Sequence, residues 1–133
     1  MNLGSNTVSP RTAKRRRDAA QRVIAAATRL FAERGFADTP MAVIAAESDV
    51  SVGTLYNLFE SKEALYHELV RSKAAIFRER LTAAASGPGT PRERLEKFLV
   101  EKLAVFRQEA GFIRLYYQVN AHARLSLRVS LPE

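Results

Sequence analysis

The sequence predicts an all-α protein, and three observations support this prediction. Apolar residues recur at steps of three and four in several segments, which is the period of an amphipathic helix. Residue types that start helices, such as Ser51 and Thr90, and types that stop them, such as Gly35, separate these segments. Hydrophobic residues make up 47% of the 133 residues, which is enough for a packed core and argues against wholesale disorder.

The chain is predicted to begin with one long helix and one short helix. The first spans about Arg15–Arg34, and Gly35 ends it because glycine readily takes a left-handed conformation. Thr39 is the predicted N-cap of the second helix, Met41–Glu47, with Pro40 at its first position. Seven residues are too few for a helix that is stable alone, so this segment must pack against its neighbours.

A third helix is predicted to follow a tight turn. Ser48–Val50 forms the turn, because serine and aspartate side chains bond locally to the backbone. Ser51 then caps the segment Val52–Phe59. Two short helices joined by such a turn match the outline of a helix-turn-helix, whose second helix reads the DNA major groove.

The second half of the chain is predicted to hold three more helices. Ser61 caps a long fourth helix, Lys62–Ala85, and a capping box with proline inside it, Thr90–Glu93, opens a fifth. The apolar stripe predicted for the fifth helix consists of Leu95, Phe98, Leu99, Leu103 and Phe106.

The end of the chain gives a weaker pattern. Gly111 is predicted to break the fifth helix, and a short sixth helix runs from Phe112 to about His122. After that, apolar residues alternate over 125–131, which is closer to the period of a strand than to that of a helix.

The composition excludes several classes of protein. There is no cysteine, so disulfides, thiolate catalysis and cysteine metal sites are absent. No apolar run approaches the roughly 18 residues that span a bilayer, and the expected location is the cytoplasm. His67 and His122 are too few and too far apart to suggest a metal site or a catalytic base. With no phosphate-binding glycine loop either, we expect neither an enzyme nor a cofactor.

The positive charge is unevenly distributed. The net charge of +7 favours a polyanionic partner, and its densest part is the basic cluster Arg11–Arg17. The segment Thr39–Glu60, by contrast, contains neither lysine nor arginine. A groove-reading helix in that segment must therefore use uncharged groups, while flanking residues supply the attraction to phosphate.

The outward residues of the third helix suit this task. Hydroxyl, amide and small side chains can reach base edges and phosphate oxygens, and Gly53 in the first turn would let the backbone approach DNA closely. The residues concerned are Ser51, Val52, Gly53, Thr54, Tyr56 and Asn57.

The segment Ile44–Leu65 resembles the signature of the TetR/AcrR family of repressors, and the likeness extends over about Arg22–Tyr66. The resemblance implies that Thr39 bonds a phosphate through its hydroxyl and backbone, and that Lys62 clamps another phosphate. It also implies that the basic residues, Arg15, Arg16 and Arg17 among them, follow the DNA backbone or enter the minor groove. Ser51–Thr54 would enter the major groove, and Tyr56 and Asn57 would reach phosphates.

The chain departs from the family pattern at three points. Ser48-Asp49 replaces the usual Ala-Gly of the turn, although aspartate tolerates a left-handed conformation better than most residues. Leu58 stands where the family often has His or Tyr, so one phosphate contact is lost. Val52 replaces a residue that is often basic and offers an apolar contact, for example to a thymine methyl.

The resemblance also implies the organisation of the whole molecule. Residues 1–14 would be a flexible basic arm, 15–61 the helix-turn-helix head, and 62–133 an incomplete regulatory body joined to the head by the fourth helix. The body would bind a small-molecule effector, and two heads would bind a palindromic operator as a homodimer. The chain is shorter than is usual in the family, and the expected shortfall is the last long helices, which form the dimer interface. The effector pocket is predicted at Phe77, Phe98, Phe106, Tyr116 and Tyr117.

Other interpretations of the same residues remain open at this point. The aromatic residues of the body can be ordinary core, Tyr56 can be buried, and the basic cluster can be a solvated end. A basic amphipathic helix can also bind an anionic membrane surface or a protein partner. DNA binding predicts a steep loss of affinity with salt, whereas membrane binding predicts a dependence on anionic lipid.

Overall fold

A computed structural model of the chain describes the backbone of residues 8–129 and the side chains of residues 8–121. This part of the chain forms six α-helices and no strand, as the sequence predicts. None of the described helices is both long and apolar enough to span a bilayer. The helices are α1 (Pro10–Arg34), α2 (Met41–Glu47), α3 (Val52–Leu58), α4 (Lys62–Ser86), α5 (Pro91–Gln108) and α6 (Ala110–Val129).

The core lies where α1, α2, α3, the first half of α4 and the first half of α6 meet. Side chains from all five helices are removed from water there, and each buried Val, Leu, Ile or Phe contributes roughly 1.5–3 kcal/mol of transfer free energy. This shared core explains how the two seven-residue helices α2 and α3 are stable. The fully buried members are Val23, Ala27, Leu30, Phe31, Ile44, Ala45, Leu55, Leu65, Leu69 and Leu115.

Three of the predicted helix starts are confirmed in atomic detail. Ser51 Oγ accepts a hydrogen bond from the Thr54 amide at 3.0 Å, and Ser61 Oγ accepts one from the Ala64 amide at 3.0 Å. Thr90 forms the predicted capping box, because its hydroxyl accepts from the Glu93 amide while the Glu93 carboxylate accepts from the Thr90 amide. Each capping side chain bonds an amide only three residues ahead, so the sequence alone is enough to predict these caps.

The predicted start of α1 is wrong. The helix begins at Pro10, because Ser9 Oγ accepts a hydrogen bond from the Thr12 amide and proline fits the first helical position. Residues 10–14, predicted as part of a flexible arm, are therefore helical. The first half of that arm, residues 1–7, lies outside the described part. The basic cluster Arg11–Arg17 is consequently carried on a rigid helix.

Thr39 is not the N-cap of α2. Pro40 occupies that position, with no side-chain capping bond, and Thr39 is fully buried. Its hydroxyl donates to the Gly35 carbonyl at 2.7 Å, so it closes the connection between α1 and α2. Gly35 has φ +90° and ψ 158°, a region essentially restricted to glycine.

The turn between α2 and α3 has the backbone that the sequence predicts. Asp49 takes the left-handed conformation with φ +54°, and Ser48 is buried with its hydroxyl donating to the Ile44 carbonyl at 2.6 Å. The replacement of the family's Ala-Gly by Ser-Asp therefore preserves the turn.

The body differs from the prediction at Gly111 and at the end of the chain. Gly111 lies inside α6, where a Cβ would come within 3.2 Å of Ala32 Cβ, so it permits close packing of α6 on α1. The helix α6 also continues to Val129, which corrects the strand-like prediction for that segment. The sequence has no proline between Phe112 and Val129, so every residue there has the backbone N–H that a helix requires. Residues 130–133 lie outside the described part.

The predicted apolar stripe of α5 faces outward. Leu95, Leu99, Leu103 and Phe106 are each about half exposed or more, and Val105 is the buried residue of this helix. The helix is held to α4 on its polar side by the Arg80–Glu101 pair at 2.6 Å. The leucine side chains of α5 therefore form an exposed apolar face of the body.

Candidate nucleic-acid interface

The helix α3 presents the predicted reading residues on one outward surface. Ser51, Gly53, Thr54 and Asn57 are exposed, and the large side chains Val52 and Tyr56 are 44% and 49% exposed. Tyr56 is therefore not a core tyrosine. On the opposite side of the same helix, Leu55 is fully buried. We define the α3 surface as Ser51–Thr54 with Tyr56 and Asn57. Leu55 packs α3 onto the core, while the α3 surface is exposed on the other side of the helix.

Gly53 leaves free space above the first turn of α3. A Cβ built there would meet only Ser51 Oγ, at 3.9 Å, which is an ordinary contact. The fold therefore does not require glycine at this position, although glycine in a helix costs about 1 kcal/mol relative to alanine.

The cations that flank the α3 surface come from α1. Arg11, Lys14, Arg15 and Arg17 are exposed on the first two turns of that helix. Arg16 is exposed as well, but its Nη2 donates to the Asn57 carbonyl at 3.0 Å. The basic cluster and α3 are thus in direct contact, which the sequence does not reveal.

Lys62, for which the resemblance implies a phosphate contact, is hydrogen-bonded within the fold. Its Nζ donates to the carbonyls of Phe36 at 2.8 Å, Thr39 at 3.3 Å and Ala37 at 3.5 Å. The ammonium also lies 4.8 Å from the centre of the Phe36 ring. An ammonium has three donors, so this one is occupied by the loop between α1 and α2.

Thr39 is likewise hydrogen-bonded within the fold. Its hydroxyl is buried and donates to the Gly35 carbonyl, so it is not available to a phosphate oxygen. Thr39, which is buried, and Lys62, which is partly exposed, both bond to the α1–α2 loop.

Two arginines that sequence reasoning did not single out hold the helix-turn-helix against α1. Arg22 Nε donates to the Ser48 carbonyl at 3.2 Å, and Arg29 pairs with Glu47 at 2.7 Å. Arg22 and Arg29 are seven residues apart and share a helix face, which is a signal that could have identified them.

The body contains an aromatic cleft between α4, α5 and α6. Its volume is about 250 Å³, and the Phe77 and Phe112 rings meet edge to face with centroids 5.8 Å apart. Four of the five predicted effector residues line it, whereas Phe98 does not, because it lies on α5 two turns before the residue that reaches the cleft, Phe106. The aromatic cleft is lined by Val70, Ala74, Phe77, Phe106, Phe112, Ile113, Tyr116 and Tyr117.

Two further features bear on ligands and on the membrane alternative. No three histidine, aspartate or glutamate side chains within residues 8–121 are close enough together to hold a metal ion.

The apolar face of α1, including Val23 and Leu30, is buried in the core and is not available to a lipid surface. This burial removes the basis of the membrane-binding interpretation.

Comparison with known proteins agrees with this geometry. Residues 23–69 match the family described as bacterial regulatory proteins of the tetR family. The chain is 36% identical over 107 residues to YerO, an uncharacterized HTH-type transcriptional regulator of Bacillus subtilis, covering 75% of this chain and 35% of that protein. It is 30% identical over 120 residues to the fatty acid metabolism regulator protein of the same organism, covering 90% and 62%.

Solved structures give the same result. A tetR-family regulator from Shewanella sp. PV-4 superposes with a TM-score of 0.67 at 30% identity, over 74% of this chain and 54% of that one. A TetR-like regulator from Rhodococcus sp. RHA1 superposes with a TM-score of 0.68 at 29% identity, over 84% and 62%. The chain thus spans between about a third and three fifths of the length of these proteins. The match covers the helices that carry the α3 surface, and the chain belongs to the tetR family of bacterial regulatory proteins.

Proposed function

We propose that this protein is a sequence-specific DNA-binding transcriptional regulator that reads the major groove with the α3 surface. The observation that carries the proposal is the exposed, uncharged face of α3 directly beside the helical basic cluster Arg11–Arg17. Phosphate contacts from the cluster would supply salt-dependent affinity, and the side chains of α3 would supply base discrimination.

Selection of bound duplexes from a random pool tests this proposal. We expect enrichment of one site, with affinity that falls steeply as salt rises. Recovery of no preferred sequence, at low salt and across the accessible concentration range, would contradict sequence-specific binding.

Two variants on the α3 surface separate base reading from phosphate contact. Thr54→Ala is expected to change the base preferred at one position by about 1–3 kcal/mol. Tyr56→Phe is expected to weaken binding to all sequences alike, because a hydroxyl contact to phosphate carries no sequence information. Competition assays with the selected site and single-base variants measure both effects. Equal and sequence-blind losses from the two substitutions would contradict the assigned roles.

The proposed regulation is repression controlled by a small molecule in the aromatic cleft. The cleft is lined by apolar and aromatic side chains from three helices, which favours an uncharged aromatic or aliphatic ligand. The helix α6 lines the cleft and also packs on α1 at Gly111 and Ala32, so a ligand that moves α6 would act on the head. Such a ligand needs only to prefer the conformation that does not bind DNA.

Filling the aromatic cleft should weaken ligand binding there. The substitution Ala74→Phe places a ring in the cleft, and we expect it to weaken binding of the uncharged dye N-phenyl-1-naphthylamine by about ten-fold or more. Ala85→Phe puts the same ring on an exposed position at the far end of α4 and serves as the control. Dye fluorescence measures both. Unchanged binding in Ala74→Phe would place the dye elsewhere.

We further propose that the regulator acts as a homodimer on a palindromic operator. Two copies of α3 must meet successive major grooves on one face of DNA, about 34 Å apart. A ligand-induced change in the separation of the heads then lowers affinity without altering any base contact.

A further inference from the structure

The helix α3 has one capping hydrogen bond of its own at its C-terminal end, from the Phe59 amide to the Leu55 carbonyl at 2.9 Å. By the geometry of any α-helix, the carbonyls that follow Leu55 have no partner inside the helix. A cation in the last turn would compensate for this, but α3 has no basic residue there. Arg16 of α1 supplies the missing cation, since its Nη2 donates to the Asn57 carbonyl at 3.0 Å.

The helix α1 holds the other end of the reading helix too. Arg22 Nε donates to the Ser48 carbonyl at 3.2 Å, in the turn that precedes α3. The two arginines are six residues apart on α1, and their acceptors lie three residues before the α3 surface begins and at its last residue. The orientation of α3 relative to α1 is thus fixed from both sides by guanidinium groups.

We propose that Arg16 is a positioning residue for DNA reading and not one of the phosphate ligands. It acts through the Asn57 carbonyl, which sets the position of the last turn of α3 and therefore of Tyr56 and Asn57. The phosphate contacts fall to its neighbours in the basic cluster, such as Arg15, which is exposed. This inference rests on the proposed DNA-binding function and assigns a distinct task to one residue of the cluster.

The test compares Arg16→Gln with Arg15→Gln, a matched change one residue away. We expect Arg16→Gln to lower discrimination between the selected site and its single-base variants by about five-fold, with little change in the slope of affinity against salt. We expect Arg15→Gln to leave discrimination intact and to reduce that slope by about 0.9, the effect of one lost phosphate contact. An Arg16→Gln protein that loses about 0.9 of slope and keeps its discrimination overturns the proposal.

A second measurement does not need DNA. The Phe59 amide donates to the Leu55 carbonyl at 2.9 Å and reports the integrity of the last turn of α3. In the free protein, Arg16→Gln is expected to speed hydrogen exchange at this amide about five-fold, whereas Arg15→Gln leaves it unchanged. Unchanged exchange in Arg16→Gln overturns the proposal whether or not the protein binds DNA. Failure of the wild-type chain to select any site, with faster exchange in Arg16→Gln, contradicts DNA reading and with it the role given to Arg16, while leaving the contact itself established.

Discussion

Replacement of Gly53 by alanine is expected to stabilise the free protein and to weaken DNA binding. The new Cβ meets only Ser51 Oγ at 3.9 Å, so the fold accepts it, and alanine is favoured over glycine in a helix by up to about 1 kcal/mol. In the proposed complex, the first turn of α3 lies against DNA, and we expect an added methyl group there to cost about 1–3 kcal/mol, or about 5- to 150-fold in affinity. Denaturant unfolding and equilibrium binding to the selected site measure the two changes.

The opposite signs of these two effects make the experiment informative. A destabilised fold that binds poorly would have a trivial explanation, whereas a stabilised fold that binds poorly locates the contact surface. Ala42→Gly on the exposed side of α2 provides a control in the reverse direction, since it should lower stability by about 1 kcal/mol and retain base discrimination. Unchanged DNA affinity in Gly53→Ala would show that α3 does not approach DNA closely.

Features that depend on near neighbours in the sequence could be predicted. The caps at Ser51, Ser61 and Thr90 each bond an amide three residues ahead, so the residue types and their spacing are sufficient. The left-handed conformation of Asp49 is another local property. The exposure of the α3 surface also followed from periodicity, because Leu55 marks the buried side of the helix.

Features that depend on distant partners could not be predicted. The sequence suggests a cap at Thr39, but the hydroxyl is claimed by a carbonyl of the preceding loop once α1 and α2 pack. Arg16 and its acceptor are separated by 41 residues, so only the folded chain distinguishes it from its basic neighbours. Helical periodicity likewise does not show which side of α5 faces α4. The most apolar stripe of α5, predicted to be its buried side, is exposed in the structure.

Lys62 is expected to contribute to stability and not to phosphate binding. Its ammonium joins the first turn of α4 to three carbonyls of the α1–α2 loop, those of Phe36, Ala37 and Thr39. Lys62→Met keeps the length of the side chain but leaves these acceptors without their donor. We expect the free energy of unfolding to fall by about 2–3 kcal/mol, the range for a hydrogen-bonded charged group whose partners are left unpaired. Denaturant unfolding followed by circular dichroism measures the change.

The competing interpretation makes the opposite prediction for the same variant. A lysine that contacts phosphate and nothing else would leave stability unchanged when replaced, and the salt slope of DNA binding would fall by about 0.9. Lys97→Met calibrates the stability measurement, because Lys97 Nζ donates to a single exposed carbonyl, that of Pro88, at 3.3 Å. Its loss should cost about 0.5 kcal/mol, so a Lys62→Met effect no larger than this would contradict the role of Lys62 in fixing the loop. The α1–α2 loop is joined to α2, whose Met41 and Ile44 lie in the same core as Leu55 of α3. We therefore expect loosening of this loop in Lys62→Met to disturb the position of α3 as well.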